Sequence, residues 1–336
     1  MTGAPKATRP LKVLVDNDSS LGPVFEIDPD RVAAAKTRHP DVAARITLAY
    51  STDSDRLADE IGDADVLVGW VFPHEGLAQL APRLRWVHLT GAGVEHHAPF
   101  DWVPPGVVVT NNRGVHAPKI REFAALAALM IVNRMPQIVQ QQWRGQWQPV
   151  YSGTVAGLTA GIVGVGSMGG AVASACKALG MRVLGIRRGG APHPDVDKIA
   201  GMDGLDALLG ASDVVFLCTP LTQETRGLIG AAQLARMKRG AGLVNIARGA
   251  VIDTDALRAA LASGHLSGAV LDVFDPEPLP KDSPLWETPN VIITPHCSSD
   301  DADTYVPRTL DLIFDNLRRL MAGERLAAVV DPKLGY

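Results

Sequence analysis

The sequence predicts an α/β protein built on parallel sheets that are covered by helices. Short runs of Val, Ile and Leu alternate with Ala-rich stretches of helical period. The runs are almost continuously apolar, as expected of strands that are buried on both faces of a parallel sheet. A glycine-rich turn, G-V-G-S-M-G at residues 164–169, follows one of these runs and opens an Ala-rich stretch.

The predicted strands fall into two series. The strands of the first series end in loops rich in Gly, Pro and Asp, and they comprise residues 12–15, 46–50, 66–70, 85–89 and 107–110. The strands of the second series comprise residues 160–163, 182–186, 214–218, 242–246, 268–271 and 291–294. The chain has 336 residues, which is enough for two domains.

Two long helices are predicted outside these series. Residues 120–143 are rich in Ala, Leu and Met and apolar on more than one face, so we expect a helix that is buried between domains or subunits. Pro136 predicts a kink or a break into two helices, because proline removes a helix hydrogen bond. A last helix is predicted over residues 302–321. Its apolar residues lie on one stripe: Val306, Leu310, Ile313, Leu317 and Leu320.

Composition excludes several functions. The chain is 46% apolar and 20% charged with a formal net charge of −4, so no general basic field would attract nucleic acid. The longest clean apolar run, residues 123–132, is too short for a bilayer, and the first nine residues lack a secretory core. The three scattered cysteines argue against a disulfide framework. We therefore expect a cytoplasmic protein without nucleic-acid, membrane or metal binding.

The glycine-rich turn predicts a dinucleotide site. Gly164 permits a tight turn, Gly166 lets the backbone approach a pyrophosphate, and Gly169 lets helix and strand pack closely. The N-terminus of the Ala-rich helix that follows faces the negative charge, and Ser167 and Met168 of the turn are expected at the cofactor. A strand before the turn and a helix after it give the motif the context that it needs.

The residue after the next strand predicts which cofactor is used. Proteins that bind NAD place an acid there for the ribose 2′-hydroxyl, but this chain has Arg187 and then Arg188. A guanidinium binds a 2′-phosphate through charge-assisted hydrogen bonds, whereas an acid repels it. We therefore predict that NADP is preferred, with NAD as a possible second cofactor. The alternative is a solvated surface pair of arginines and a weak preference.

Three separate residues predict the chemistry. Arg248, Glu277 and His296 each follow a strand of the second series, and open parallel sheets bind ligands at the carboxyl ends of their strands. Singly, each could be a surface or structural residue. Together they offer an anion clamp, a carboxylate and a proton donor that the carboxylate can hold. Beside a dinucleotide site, this set predicts hydride transfer to a keto acid.

With these motifs the chain resembles the D-isomer-specific 2-hydroxyacid dehydrogenases over nearly its whole length, in particular those of the glyoxylate and hydroxypyruvate reductase type. The matching motifs are T-G-A-G-V at 90–94, the glycine-rich turn, P-L-T-Q-E-T at 220–225, N-I-A-R-G at 245–249, D-V-F at 272–274 and T-P-H at 294–296. The order Arg, Glu, His is the catalytic order of that family.

The resemblance implies two doubly wound parallel-sheet domains. A Rossmann cofactor domain, residues 115–298, would be inserted into a flavodoxin-like substrate domain, residues 1–114 and 299–336. Hinges are expected near residues 114–120 and 298–303. The last helix would return to the first domain, which is consistent with its apolar stripe.

The resemblance also implies a role for each site residue. His296 would give a proton to the substrate carbonyl, Glu277 would orient His296 and favour its charged form, and Arg248 would grip the substrate. The residues expected at the substrate are Trp70, Gly91, Ala92, Gly93, Val94 and Arg248, although core packing is an equal alternative for Trp70. The residues expected at the cofactor are Gly164, Gly166, Ser167, Met168, Gly169, Arg187, Arg188, Thr219, Pro220, Thr225, Ile246, Ala247, Asp272 and His296. Asp272 would accept a hydrogen bond from the nicotinamide carboxamide.

The sequence departs from the family pattern in two places. One is Arg187, in place of the ribose acid. The other is C-S-S-D-D at residues 297–301, which replaces a small continuation that contains Gly or Ala. The second departure puts the loop shape and the substrate preference in doubt, rather than the chemistry.

The predicted function is therefore NADPH-favouring reduction of small 2-keto acids such as glyoxylate or hydroxypyruvate to D-2-hydroxy acids, by a homodimer. One alternative is a D-3-phosphoglycerate dehydrogenase, which would call for extra basic residues and often for a regulatory domain that a 336-residue chain leaves no room for. The other is a non-enzymatic, dinucleotide-sensing corepressor of the C-terminal-binding-protein type, for which we recognise no peptide groove.

Overall fold

The computed structural model describes residues 9–332 and 334, and it contains two parallel sheets in two compact units. One unit comprises the residues up to His116 together with those from Asp301 onward, and the other comprises Ala117–Asp300. The second unit therefore interrupts the first along the sequence. The predicted α/β class is confirmed.

Strands and helices alternate along both units. The strands are β1 (Leu11–Asn17), β2 (Ile46–Thr52), β3 (Val66–Gly69), β4 (Trp86–Leu89), β5 (Val108–Asn111), β6 (Thr159–Val163), β7 (Arg182–Ile186), β8 (Lys198–Ala200), β9 (Val214–Leu217), β10 (Gly242–Asn245), β11 (Gly268–Leu271) and β12 (Val291–Ile293). The helices are α1 (Pro29–Arg38), α2 (Pro40–Ala43), α3 (Leu57–Glu60), α4 (Leu77–Leu80), α5 (Ala117–Val132), α6 (Met135–Trp143), α7 (Ser167–Ala178), α8 (Leu205–Ala211), α9 (Ala231–Arg236), α10 (Thr254–Ala262) and α11 (Tyr305–Ala322).

The sheet of the first unit has the strand order β2-β1-β3-β4-β5, with every pair parallel. Alternate residues of β1 enter different cores, with Val13 and Val15 on one face and Leu14 on the other. This confirms the prediction of burial on both faces. The last helix, α11, packs into the first of these cores. Its predicted stripe is buried as expected at Val306, Leu310, Ile313 and Leu317.

The sheet of the second unit has the strand order β12-β11-β10-β9-β6-β7-β8, and it is also parallel throughout. The chain starts in the interior of this sheet at β6 and moves outward to β8. It then crosses to β9, on the other side of β6, and moves outward to β12. The reversal between β6 and β9 is the position at which open parallel sheets bind their ligands.

One strand was not predicted. The edge strand β8 is only three residues long, and its burial pattern runs from exposed Lys198 to two half-buried residues. It therefore lacks the continuous apolar character by which the other strands could be found in the sequence.

The long helix of residues 120–143 is in fact two helices, α5 and α6, bent by 69°. The break lies at Arg134, which has a left-handed φ of 57°, and not at Pro136. Pro136 falls in the first turn of α6, where proline is favoured because its missing N–H is not needed. Among the described residues no single helix is long and apolar enough to cross a membrane, although this bent pair reaches the necessary length together.

In the single chain only one side of this segment is buried, so its predicted burial between domains or subunits stays a prediction. In α5 the buried residues form one stripe: Ile120, Ala124, Ala127, Ala128 and Ile131. The opposite side leaves Leu126 and Leu129 exposed, at 48% and 38%. Ala is small enough for α5 to lie close to α7, whereas the larger leucines face away from this core.

Candidate functional site

Arg248, Glu277 and His296 follow three neighbouring strands. They come after β10, β11 and β12, which pair with one another in parallel. The carboxyl ends of parallel strands meet at the same edge of a sheet, so the topology brings these three loops together.

A hydrogen bond joins Glu277 to His296. The Nδ1 atom of His296 lies 2.7 Å from Oε2 of Glu277. The other carboxylate oxygen, Oε1, accepts the N–H of Phe274 at 2.7 Å, so both oxygens of Glu277 are held. The His296 side chain is 44% exposed. Because Nδ1 is engaged by the carboxylate, Nε2 is the ring nitrogen that can serve a ligand.

The pair favours the charged form of both groups. The hydrogen bond that the His296 ring donates to the Glu277 carboxylate raises the pKa of His296, although burial and the charge of Arg248 oppose this. Burial would raise the pKa of Glu277, but the hydrogen bonds from His296 and the Phe274 N–H together bring it below its ordinary value. The charge of Arg248 lowers the pKa of both groups. The Arg248 guanidinium is therefore close enough to Glu277 and His296 to influence the charge of both.

The backbone around Arg248 is fixed by Asn245, at the end of β10. Its Nδ2 donates to the carbonyl of Arg248 at 3.1 Å, and its Oδ1 accepts the N–H of Ala247 at 3.0 Å. Gly249 packs directly against the chain before Glu277, since a Cβ there would lie 2.0 Å from the carbonyl carbon of Phe274. The two loops can approach this closely only because residue 249 is glycine.

The carboxylate of Asp272 is buried and occupied by the loop that carries His296. It accepts hydrogen bonds from Thr294 Oγ1 at 2.6 Å, from the N–H of Cys297 at 3.0 Å, and from both the N–H and the hydroxyl of Ser298. A carboxylate has about four acceptor positions. Most of the capacity of Asp272 is therefore used within the loop, and its predicted contact with a nicotinamide carboxamide stays a prediction.

The glycine-rich turn joins β6 to α7, and each of its three positions has a different structural reason to be glycine. Gly164 has a φ of +100°, and a Cβ there would lie 2.9 Å from the main chain of Cys218. A Cβ on Gly169 would lie 2.1 Å from the carbonyl oxygen of Gly164, so helix and strand could not pack. Gly166 faces open space, and no side chain caps α7. Ser167 and Met168, also predicted at the cofactor, form the uncapped first turn of α7.

The carboxyl end of β9 carries a buried polar atom without a partner. The Oγ1 of Thr219 makes no hydrogen bond within residues 9–332 and 334. A buried hydroxyl without a partner is costly, so a ligand that supplies one is favoured here. The methyl group of Thr219 is close enough to meet a Cβ on Gly164, at 2.9 Å. The open turn and this hydroxyl together fit a phosphate-bearing dinucleotide.

The two arginines after β7 differ in their surroundings. Arg187 donates through Nη1 to the main-chain carbonyls of Ala191 and Pro192, at 3.3 and 3.5 Å. Arg188 is paired with Glu224, at 2.7 Å from Nη2 to Oε2. Sequence reasoning did not find this pairing, since the two residues are 36 positions apart. Arg187 is therefore the stronger candidate for a phosphate.

The other predicted cofactor residues shape the backbone of this edge. Thr225 Oγ1 donates to the carbonyl of Pro220 at 2.7 Å and accepts the N–H of Thr222 at 2.8 Å. Ile246 and Ala247 are buried. The side chains of Thr225, Ile246 and Ala247 thus support the loops after β9 and β10 from inside. Among the described residues, no group of three or more His, Cys, Asp or Glu could hold a metal ion.

The predicted substrate loop, residues 90–94, lies in the first unit after β4. The carbonyls of Thr90 and Ala92 accept hydrogen bonds from the side chains of Asn112 and Asn111, at 2.6 and 2.8 Å. Within the described part of the chain, the amides of residues 91–94 donate to no protein acceptor. The Trp70 ring covers Gly91, where a Cβ would lie 1.7 Å from Cζ3. Trp70 therefore packs on this loop, and the choice between its two predicted roles, substrate contact and core packing, stays open.

The chain is similar to a known protein family and to solved structures. Residues 125–298 match the family model described as "D-isomer specific 2-hydroxyacid dehydrogenase, NAD binding domain". A glyoxylate reductase of Korarchaeum cryptofilum is 37% identical over 80% of this chain and 83% of its own length. A D-isomer specific 2-hydroxyacid dehydrogenase of Xanthobacter autotrophicus, solved with NADPH and MES, is similar with a TM-score of 0.82, 33% identity and coverage of 96% and 99% of the two chains. An NADPH-dependent glyoxylate/hydroxypyruvate reductase of Sinorhizobium meliloti, solved with NADP and sulfate, is similar with a TM-score of 0.79 and 28% identity. The match covers 97% of this chain and 100% of that chain.

Proposed function

Because the chain belongs to the D-isomer specific 2-hydroxyacid dehydrogenase family, we propose that it reduces small 2-keto acids of the glyoxylate and hydroxypyruvate type to D-2-hydroxy acids, with NADPH as the favoured hydride donor. It is an NAD(P)-dependent oxidoreductase of that family. The Korarchaeum and Sinorhizobium proteins are named as reductases of such acids, and both solved structures named above contain NADPH or NADP. The preference for NADPH and the identity of the keto acid are the parts that we propose.

The observation that carries this proposal is the hydrogen bond between Glu277 and His296 beside Arg248. Since Nδ1 of His296 is bonded to Glu277, its protonated ring can give the Nε2 proton to a carbonyl oxygen. Glu277 keeps the ring in place and favours the charged donor. Arg248 would bind the substrate carboxylate and stabilise negative charge that develops on the carbonyl oxygen. The cofactor, when bound, supplies the hydride.

The remaining site residues would bind the two ligands. The amides of residues 91–94 suit a carboxylate, because they donate to no acceptor among the described residues. The turn at Gly166 and the hydroxyl of Thr219 would hold the pyrophosphate and its surroundings. Arg187 would hold the 2′-phosphate. On this proposal residues 1–114 and 299–336 form the substrate domain, and residues 115–298 form the cofactor domain.

The proposal is tested by initial rates of the purified protein with glyoxylate, hydroxypyruvate and 3-phosphohydroxypyruvate, each with NADPH and with NADH. We expect the highest kcat/KM with NADPH and one of the two small acids. A preference for the phosphorylated acid would favour the phosphoglycerate dehydrogenase alternative. Tight NADPH binding without turnover of any acid would favour the dinucleotide-sensing alternative.

Arg187→Asp should weaken the use of NADPH and relatively favour NADH. The loss of one charge-assisted contact corresponds to about 1.5–3 kcal/mol, or roughly a ten- to hundredfold lower kcat/KM with NADPH. The measurement is kcat/KM with both cofactors. Arg182→Asp, the same charge change at the other end of β7, is the control and should leave the ratio between cofactors unchanged. A wild-type preference for NADH would contradict the assignment of Arg187.

Glu277→Gln should lose keto-acid reduction at a lower pH than the wild type does. The hydrogen bond to Glu277 raises the pKa of His296, so the wild-type proton donor stays charged to higher pH. Glutamine keeps an acceptor but removes the charge, so the donor loses its proton earlier as the pH rises. The measurement is kcat/KM against pH. The control is Asp275→Asn, since Asp275 pairs with Arg226 at 3.5 Å from Oδ2 to Nη1. This variant should keep the wild-type dependence of kcat/KM on pH. An alkaline limb that does not move in Glu277→Gln would exclude this coupling.

We also propose a homodimer, formed through the exposed apolar side of α5 and the exposed aromatic residues at the end of α6 and beyond it. Leu126 and Leu129 are partly exposed, and Trp143, Trp147 and Tyr151 are 85%, 97% and 91% exposed. Aromatic residues of this kind are enriched in protein interfaces.

A cytoplasmic location stays a prediction that rests on composition.

A further inference from the structure

The loop that carries His296 is attached to a single buried residue, Asp272. Both the carboxylate and the main-chain carbonyl of Asp272 take part. The carbonyl accepts the N–H of His296 at 2.9 Å, and the carboxylate accepts bonds from residues before and after the histidine. Asp272 is 1% exposed, so water does not compete for these bonds. The loop is thus held at several points on either side of the proton donor.

Ser298 holds one of the two carboxylate oxygens. Oδ1 of Asp272 accepts hydrogen bonds from Thr294 and from the N–H of Cys297, and the N–H of Ser298 also reaches it, at 3.2 Å. Oδ2 is bonded by Ser298, through its hydroxyl at 2.5 Å and its N–H at 3.1 Å. Ser298 is itself 2% exposed. It lies two residues after His296, in the segment C-S-S-D-D at residues 297–301.

His296 needs such an anchor because of its backbone conformation. Its φ is +49°, in the left-handed region, which is unfavourable for residues that have a Cβ. Residues persist there when surrounding contacts hold them in place. The direction of the ring, and therefore the position of Nε2, depends on this backbone. A loop that relaxed from this conformation would move the proton donor away from Glu277.

We propose that Ser298, acting through Asp272, is a positioning residue for His296. Its hydroxyl fixes the orientation of the buried carboxylate, and the carboxylate fixes residues 294–298 in the conformation that presents the histidine. The inference rests on the proposed function only as far as His296 is the proton donor. The attachment of the loop itself is independent of the substrate.

The test uses Ser298→Ala, which removes the hydroxyl and keeps the backbone N–H. Hydrogen exchange measured by mass spectrometry should become about 10- to 100-fold faster in the peptide that contains residues 294–298, the factor for one charge-assisted bond. The kcat for keto-acid reduction should fall by about the same factor, since a displacement of about 1 Å can cost this much. The dissociation constant of NADPH should stay unchanged.

Two further variants complete the experiment. Ser212→Ala removes another fully buried hydroxyl of the same unit, which donates to the carbonyl of Leu208 at 2.7 Å, so it controls for lost stability alone. It should leave both the exchange of residues 294–298 and kcat unchanged. Ser298→Cys keeps a side chain of similar size with a much weaker donor. Its exchange rate at residues 294–298 and its kcat should therefore be intermediate between those of the wild type and Ser298→Ala.

Each contrary result has its own meaning. Unchanged exchange of residues 294–298 in Ser298→Ala would overturn the proposal. Faster exchange with an unchanged kcat would also overturn it, because the loop would then not position the donor. Weaker NADPH binding with an unchanged kcat would assign Ser298 and Asp272 to the cofactor instead. Faster exchange in a protein whose wild type reduces no keto acid would refute the proposed function and leave the loop attachment in place.

Discussion

His296→Ala should lower the kcat of keto-acid reduction by about 10²–10⁴-fold, the contribution of a well-placed general acid. In the proposed mechanism the ring is the proton donor, and because its Nδ1 is bonded to Glu277 at 2.7 Å, Nε2 is the atom that would deliver the proton. NADPH binding should survive, because the glycine-rich turn and Arg187 lie on other strands. The measurements are steady-state rates and a fluorescence titration with NADPH.

The left-handed backbone of residue 296 calls for a second variant at this position. Alanine is strained at a φ of +49°, whereas asparagine is among the residues that tolerate it. His296→Asn should therefore lose the same activity with less disturbance of the loop. The control is His265→Ala, whose ring contacts the carbonyl of Leu234 at 3.1 Å in the same unit. Activity retained in both variants at position 296 would rule out His296 as the donor.

Arg248→Ala should lower kcat/KM by about 10³–10⁵-fold, through both KM and kcat. Loss of a charged hydrogen bond to the substrate corresponds to about 10- to 100-fold, and loss of a group that stabilises developing negative charge corresponds to about 10²–10³-fold. Both effects combine because the same guanidinium acts in the ground state and in the transition state. The measurement is the full dependence of rate on keto-acid concentration.

Two variants show which property of Arg248 matters. Arg248→Lys keeps the charge but loses the planar fork, so it should recover part of kcat and little of KM. Arg236→Ala is the control. Arg236 is exposed, with its Nε 3.6 Å from Oδ2 of Asp206, and its replacement should leave kcat and KM unchanged. A change in KM alone for Arg248→Ala would show that the residue binds the substrate without contributing to the chemical step.

Much of this fold could be predicted from the sequence because buried parallel strands are apolar along their whole length. This signal identified every strand of the two sheets except β8 (Lys198–Ala200), which is too short and too exposed to show it. The helix break was expected at Pro136 but occurs at Arg134, since proline is compatible with the start of a helix and the left-handed residue before it ends the previous one.

The candidate site was predictable only where residues follow strands within short motifs. Arg248, Glu277 and His296 were found because each lies at a strand end, and neighbouring parallel strands bring such ends together. The contact of Ser298 with Asp272 spans 26 positions and belongs to no motif. The pairing of Arg188 with Glu224 is similar. Such contacts depend on loop conformations, which local sequence patterns do not specify.

The strand order of the second unit separates the residue expected to select the cofactor from the residues expected to carry out the chemical step. The arginine expected to select the cofactor follows β7, and the first of the three catalytic candidates follows β10, with β6 and β9 between them. At the usual strand spacing these positions are about 14 Å apart. A loop exchanged at one strand leaves the others in place. We therefore expect that cofactor selectivity and the chemical step can be changed separately in this fold.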